Sequence, residues 1–231
     1  MIRTNWRKAL LVAAGGAWMV LSGCSAGHSN TRVKEEWLAR VPEEQLGSVR
    51  EAQTQRLQAN DAIVRADVEI RDAERALEVV RREEAAARLR KEAEEASVKA
   101  AEAQGQRDHI REAQASLKAA QGMQGAAKAQ VAWREHVVET KKALKKLRER
   151  EAEVANAELA LAEYQALKRS GDVRADGLSE ADFNSSVAKA RGRLASAQKQ
   201  VENDRKQERQ ARAQWENLRN QAQGYGGSGR E

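Results

Sequence analysis

Apolar residues recur at alternating steps of four and three along most of this chain, a spacing that predicts long helices pairing through a narrow seam. The cleanest run is Phe183, Val187, Ala190, Leu194, Ala197, Val201, Asp204, Glu208, Ala211, Trp215, Leu218 and Ala222, of which ten of twelve are apolar. A second run, Trp133, Val137, Thr140, Leu144, Leu147, Glu151, Val154, Glu158, Leu161 and Gln165, keeps the same steps. Sustained spacing of this kind favours a left-handed supercoil.

Between the two runs lies Ser170-Gly171-Asp172-Val173-Arg174-Ala175-Asp176-Gly177-Leu178. Gly171 reads as a helix stop and Gly177 as a turn glycine, and Ser179-Glu180-Ala181-Asp182 resembles a capping box at a helix start. The segment 170–178 is therefore a hairpin turn. If the turn centres on Arg174, facing residues have numbers that add up to 348. Leu161 then meets Val187, Val154 meets Leu194, Leu147 meets Val201 and Trp133 meets Trp215, while Thr140 against Glu208 and Leu144 against Asp204 form a weaker patch.

The first half carries its own heptad, Ala59, Ile63, Ala66, Ile70, Ala73, Leu77 and Val80, alternating small and large residues. Gly105 is a candidate bend, because glycine costs about 1 kcal/mol in a helix interior. Reflection about Gly105 makes facing numbers add up to 210, bringing Leu77 to Trp133, Ile63 to Leu147 and Val49 to Leu161. This gives an up-down-up arrangement of three helices. Two rival readings stay open at this level: a bend at Gly122–Gly125, or one unbroken helix over 43–169 that needs a second chain to cover its 59–80 stripe. The fold expected is all-α, an elongated antiparallel coiled coil of two or three long helices.

Composition agrees with the periodicity. Pro42 is the one proline in 231 residues, and the chain is dominated by good helix formers. Pro42, Glu43 and Glu44 suit the start of the first long helix. The final stretch Gly-Tyr-Gly-Gly-Ser-Gly-Arg-Glu, 224–231, reads as a flexible tail. Positive and negative charges are interleaved, and aromatics are 3% of the chain, so neither a basic stripe nor a stacking platform for nucleic acid is expected.

The amino terminus has a different character. Arg3, Arg7 and Lys8 precede an uncharged stretch of 13 residues, Ala9 to Leu21. That is shorter than the roughly 20 residues of a membrane span and has the form of a secretory signal. Leu21, Ser22, Gly23 and Cys24 follow, and Cys24 is the one cysteine. This tetrapeptide resembles the lipobox of bacterial lipoproteins, which runs aliphatic, small, small, Cys. The resemblance implies cleavage after Gly23, lipid on the Cys24 thiol and acylation of the new amino group. Ser25 implies, by the enteric-type sorting rule, the outer membrane with the chain facing the periplasm; the outer face of the cytoplasmic membrane is the alternative. Removal of 1–23 leaves 38 basic residues against 35 acidic ones, a nearly balanced mature chain. The expected organisation is a signal peptide over 1–23, a lipidated tether over 24–41, the helical domain over 42–223 and the tail.

No catalytic, metal or cofactor site is expected. His28, His109 and His136 lack the spacing of metal ligands, no Gly-rich phosphate loop follows a strand, and a thin bundle offers no pocket to tune a carboxylate. Trp133 and Trp215 are expected as packing residues of the hairpin; Trp37 reads equally as a small hydrophobic staple or a contact to membrane or partner. The expected partners are a membrane, through lipid on Cys24, and other proteins or further copies, through the helices; no small-molecule substrate is expected. A structural or scaffolding role in the cell envelope fits best. Braun-type lipoprotein is similar in plan, but this chain ends Arg230-Glu231 and lacks the terminal lysine used for cell-wall attachment. A client-binding hairpin resembling Skp-like chaperones, and an accessory subunit of a secretion or efflux assembly, are the alternatives.

Overall fold

The chain's helices are set by where its glycines and capping residues fall. The structure, a computed structural model, describes residues 32–226. A single-turn helix α1 (Glu35–Leu38) and a 3-10 turn (Glu43–Gln45) lead into α2 (Gly47–Gln104). Helix α3 (Arg107–Arg169), a 3-10 turn (Val173–Gly177) and α4 (Glu180–Gly226) follow. At 1.5 Å per residue, α2 and α3 are each about 90 Å long. The described residues contain no strand.

Gly105 separates α2 from α3. Its φ of 71° is left-handed, and its N–H donates to the carbonyls of Ala101 and Glu102 at 3.2 Å each. Glycine adopts this conformation without the 1–2 kcal/mol penalty, roughly, that a Cβ imposes. Gly122 and Gly125 stay inside α3, so the chain neither bends there nor runs unbroken from 43 to 169.

The second turn closes α3 with two bonds that satisfy its last carbonyls. Gly171, with φ 72°, donates to the Lys168 carbonyl at 3.1 Å, and Asp172 donates to that of Leu167 at 3.4 Å. This is the Schellman pattern. Ser179 then starts α4, its Oγ accepting from the Asp182 N–H at 3.4 Å.

Helices α2 and α4 both pack along α3 and not against each other. Helix α3 meets α2 through Glu135, Lys141 and Lys145, which pair with Arg81 at 2.9 Å, Glu69 at 2.8 Å and Asp67 at 2.8 Å. It meets α4 through Trp133 and Glu158, the latter accepting from Arg191 at 2.6 Å. At 3.6 residues per turn these two sets lie on nearly opposite sides of α3. The three helices therefore form one flat, antiparallel layer with α3 in the middle. Alanines supply much of the seam, among them Ala66, Ala120, Ala152 and Ala190, all buried. The last turns of α4 reach α3 at Gly122, where a side chain would stand 3.5 Å from Ala222. Past the end of α4 at Gly226, α2 and α3 are the only described elements up to the Gly105 turn, a two-helix tip about 20 Å long.

The pairing of α2 with α3 departs from simple reflection about Gly105. Glu69–Lys141 keeps the sum of 210, but Asp67–Lys145 gives 212 and Arg81–Glu135 gives 216. The turn takes two residues, Gly105 and Gln106, so its centre falls beyond the glycine. Leu77 accordingly shares a groove with Glu135, Val138 and Glu139.

Candidate functional site

The large side chains of the fold gather at the end opposite the Gly105 tip. Among the described residues Phe183 and Leu167 are the two large ones that are fully buried. Phe183 stacks on Tyr164, centroids 4.9 Å apart, in a cluster with Val49, Ala52, Leu159, Ala166 and Ala175. Val33 and Val41 complete it at 5% and 6% exposed, with Trp37, Leu38 and Leu46 packed against it. Within the stretch 24–41, read as a lipidated tether with a short helix over Glu35–Arg40, the chain is folded from Val33 onward, and the helix spans Glu35–Leu38. Its valines fill the apolar mouth left between the ends of α2, α3 and α4. Pro42 precedes the 3-10 turn, and α2 begins only at Gly47.

A charged clasp holds this collar to the 170–178 turn. The Asp172 carboxylate accepts from the backbone N–H of Arg174 at 2.9 Å and from its Nε at 2.7 Å, with a further contact to the guanidinium. These bonds hold the Asp172 pKa down at about 2. The same guanidinium lies 5.5 Å from the centre of the Trp37 ring, a cation–π contact that ties α1 to the turn. Nearby, burial pushes the Glu163 carboxyl upward, with the Arg56 charge opposing it.

The two carboxylates respond to acid in opposite senses. Asp172 is depressed, so its contribution is complete above its unfolded value near 3.8 and is lost as pH falls toward about 2. Glu163 is raised, so its protonation favours the folded collar as pH falls. Acid should therefore loosen the turn before the collar. Pepsin cleavage within 172–178, corrected for the enzyme's own pH profile on an unstructured peptide, is expected to accelerate from pH 4 to pH 2. Asp172→Asn should be cut readily already at pH 4, with the pH dependence gone.

The residues that sequence spacing assigned to hairpin packing are distributed along the α3–α4 seam. Trp133 and Trp215 stack with centroids 4.8 Å apart and planes inclined by 13°. Arg134, Arg219 and Arg212 lie over these rings at 4.3, 4.9 and 5.8 Å. Leu147 and Val201 line one groove with Leu144, Arg148, Arg205 and Arg209. Val187 and Val201 are buried, Val154 and Leu194 are half-buried, and Leu161 packs on the end cluster. Thr140, expected in a weak patch, is buried at 4% exposed, and its Oγ1 finds no partner among the described residues. Leu21, Ser22, Gly23 and Cys24 lie outside the described residues, as does all but the start of the 224–231 tail.

Sequence spacing did not find the collar. Val33 and Val41 stand in no helical period, and Phe183 read only as one more seam position. Opposite-charge spacing of Asp172 and Arg174 was the one local signal of the clasp.

The remaining grooves are open. One between α3 and α4 is floored by Ala143, Gly192, Ser196 and Ala197 and rimmed by Lys146, Arg150, Lys189 and Arg193. Among the described residues no group of three or more His, Cys, Asp or Glu is placed to hold a metal ion, and no helix is long and apolar enough to cross a membrane. His109 is exposed and His136 half-buried, on separate stretches of α3. No protein-family model matches this chain, and neither does any curated protein or solved structure.

Proposed function

We propose that this chain is a lipoprotein of the bacterial cell envelope, anchored through lipid on Cys24, whose helical layer serves as a scaffold. Signal peptide 1–23 is removed, and the mature chain faces the periplasm from the outer membrane. The observation that carries the reading is the position of the collar. Val33, nine residues after Cys24, is buried at the Phe183 end of the layer, while the Gly105 tip lies at the other end. A short tether then sets one end at the bilayer and projects the tip roughly 90 Å away, by the rise of an α-helix. Open grooves and long seams suit contact with proteins better than capture of a small molecule.

The narrowed tip, where α2 and α3 run on beyond α4, favours one version of this role: an accessory that presents a hairpin end-on to a larger assembly. Cross-linking in cells at native expression, followed by purification of the full chain, tests the proposal. Specific envelope proteins should be recovered, with cross-links on α2 and on the tip. Recovery of no enriched partner would remove the scaffolding reading.

A further inference from the structure

The two free edges of the helical layer differ in character. Among the described residues seven large apolar side chains are exposed, and five of them, Leu57, Val64, Val68, Val79 and Leu89, are on α2 at 51–64% exposure. At 3.6 residues per turn these five fall within about 80° of arc, opposite the side that carries Ala66, Leu77 and Val80 into the α3 seam. Helix α2 thus has two apolar faces, one buried and one forming the outer edge. The outer edge of α4 carries Ser185, Lys199, Lys206 and Asn217, all exposed, and among the described residues no large apolar residue there is exposed.

The α2 edge is also self-complementary. Reversal about a centre between Ala73 and Glu74 sets Val68 opposite Val79 and brings Leu57 to within one residue of Leu89. The same operation sets Arg71 near Glu78, Asp72 near Arg75 and Arg65 near Glu83, each an opposite-charge pair. Val64 falls under the methylenes of Arg82, a stem suited to covering apolar surface. Glu74 itself lies beside the axis but lines the α2–α3 groove with Leu77 and Glu135, away from the edge. Within one chain Asp72–Arg75 at 3.3 Å and Glu78–Arg82 at 3.2 Å are exposed intrahelical pairs, so exchanging partners costs little.

We infer that the occupant of this edge is a second copy of the chain, its α2 running antiparallel to the first about an axis near Glu74. An antiparallel partner also continues the up-down alternation already present from α4 through α3 to α2. The paired stretch, about 50 Å long and one helix wide, buries on the order of 1,000–1,500 Å² in total, the size a specific pair requires. A two-fold axis makes the interface isologous and closed, and the polar α4 edges then terminate the six-helix layer. The inference does not depend on lipid at Cys24, so either proposal can fail alone.

Sedimentation of the full chain in detergent tests it. The particle is expected to contain two chains. Val68→Glu combined with Val79→Glu should give one chain, with the dissociation constant weakened by at least about a hundredfold. Both positions are exposed, so the circular-dichroism signal should be unchanged. Two full-length variants, Val68→Cys and Val79→Cys, oxidised as a mixture, should form the 68-to-79 bridge in preference to either same-position bridge, as read by mass spectrometry of the linked peptides. A single-chain wild-type particle would assign the edge to another protein and overturn the inference. Retention of the pair in the double glutamate variant, or dominance of same-position bridges, would do so as well.

Discussion

Phe183→Ala is expected to lower the thermal midpoint of the full chain by about 6–20 °C, because removing a fully buried phenylalanine costs about 3–5 kcal/mol and each kcal/mol moves a chain of this size by roughly 2–4 °C. The ring is wholly shielded, stacks on Tyr164 and sits where α1, α2, α3 and α4 all converge. Elsewhere the buried apolar seam positions are alanines, valines and Leu77, all smaller than this ring. The variant should also free the collar: protease cleavage between 33 and 46 should rise well before the helix signal melts. Leu194→Ala, on the same helix but half-buried, is the control and should cost markedly less. Equal losses from the two substitutions would show that stability is spread evenly along the layer and is not concentrated at this end.

Cys24→Ser is expected to move the protein from the membrane fraction to the soluble fraction and to abolish labelling by radioactive palmitate. Attachment through several acyl chains, at about 0.8 kcal/mol per buried methylene, leaves almost no free population. Loss of the thiol removes all of it at once, and the described helices include none able to span a bilayer. Cys24 lies outside the described fold, so the helix signal of the released protein should match that of the parent. Unchanged retention in the membrane fraction, with labelling lost, would place the attachment on protein contacts and not on lipid.

The sequence made the α3–α4 hairpin legible for local reasons. Gly171 and Ser179 are punctuation that acts within one turn of the chain, and the 3.5-residue spacing on both sides fixes which faces meet. Trp133 and Trp215 were paired by reflection across that turn, and their rings stack in the structure. The α2–α3 pairing was less legible, because a two-residue turn and the drift of long helices shift partners that reflection about one glycine sets rigidly. The collar was hidden for a different reason. Val33 and Val41 are buried by what three distant helix ends leave open, a property that no window of sequence contains. The outer edge of α2 was masked by the heptad beside it: reading Ala59 to Val80 as the apolar face turned Leu57, Val64, Val68 and Val79 into background.

Because its three long helices lie side by side, the molecule has the mechanics of a plank. Three helix diameters of about 10 Å give a width near 30 Å against a thickness near 10 Å, so flexural stiffness within the broad plane exceeds that across it by roughly nine-fold. Load applied edgewise meets a strut, whereas load on the broad face meets a leaf spring. Among the described residues α4 ends at Gly226, about one turn past the level of Gly122, and from there the section narrows to two helices and the spring softens again toward Gly105.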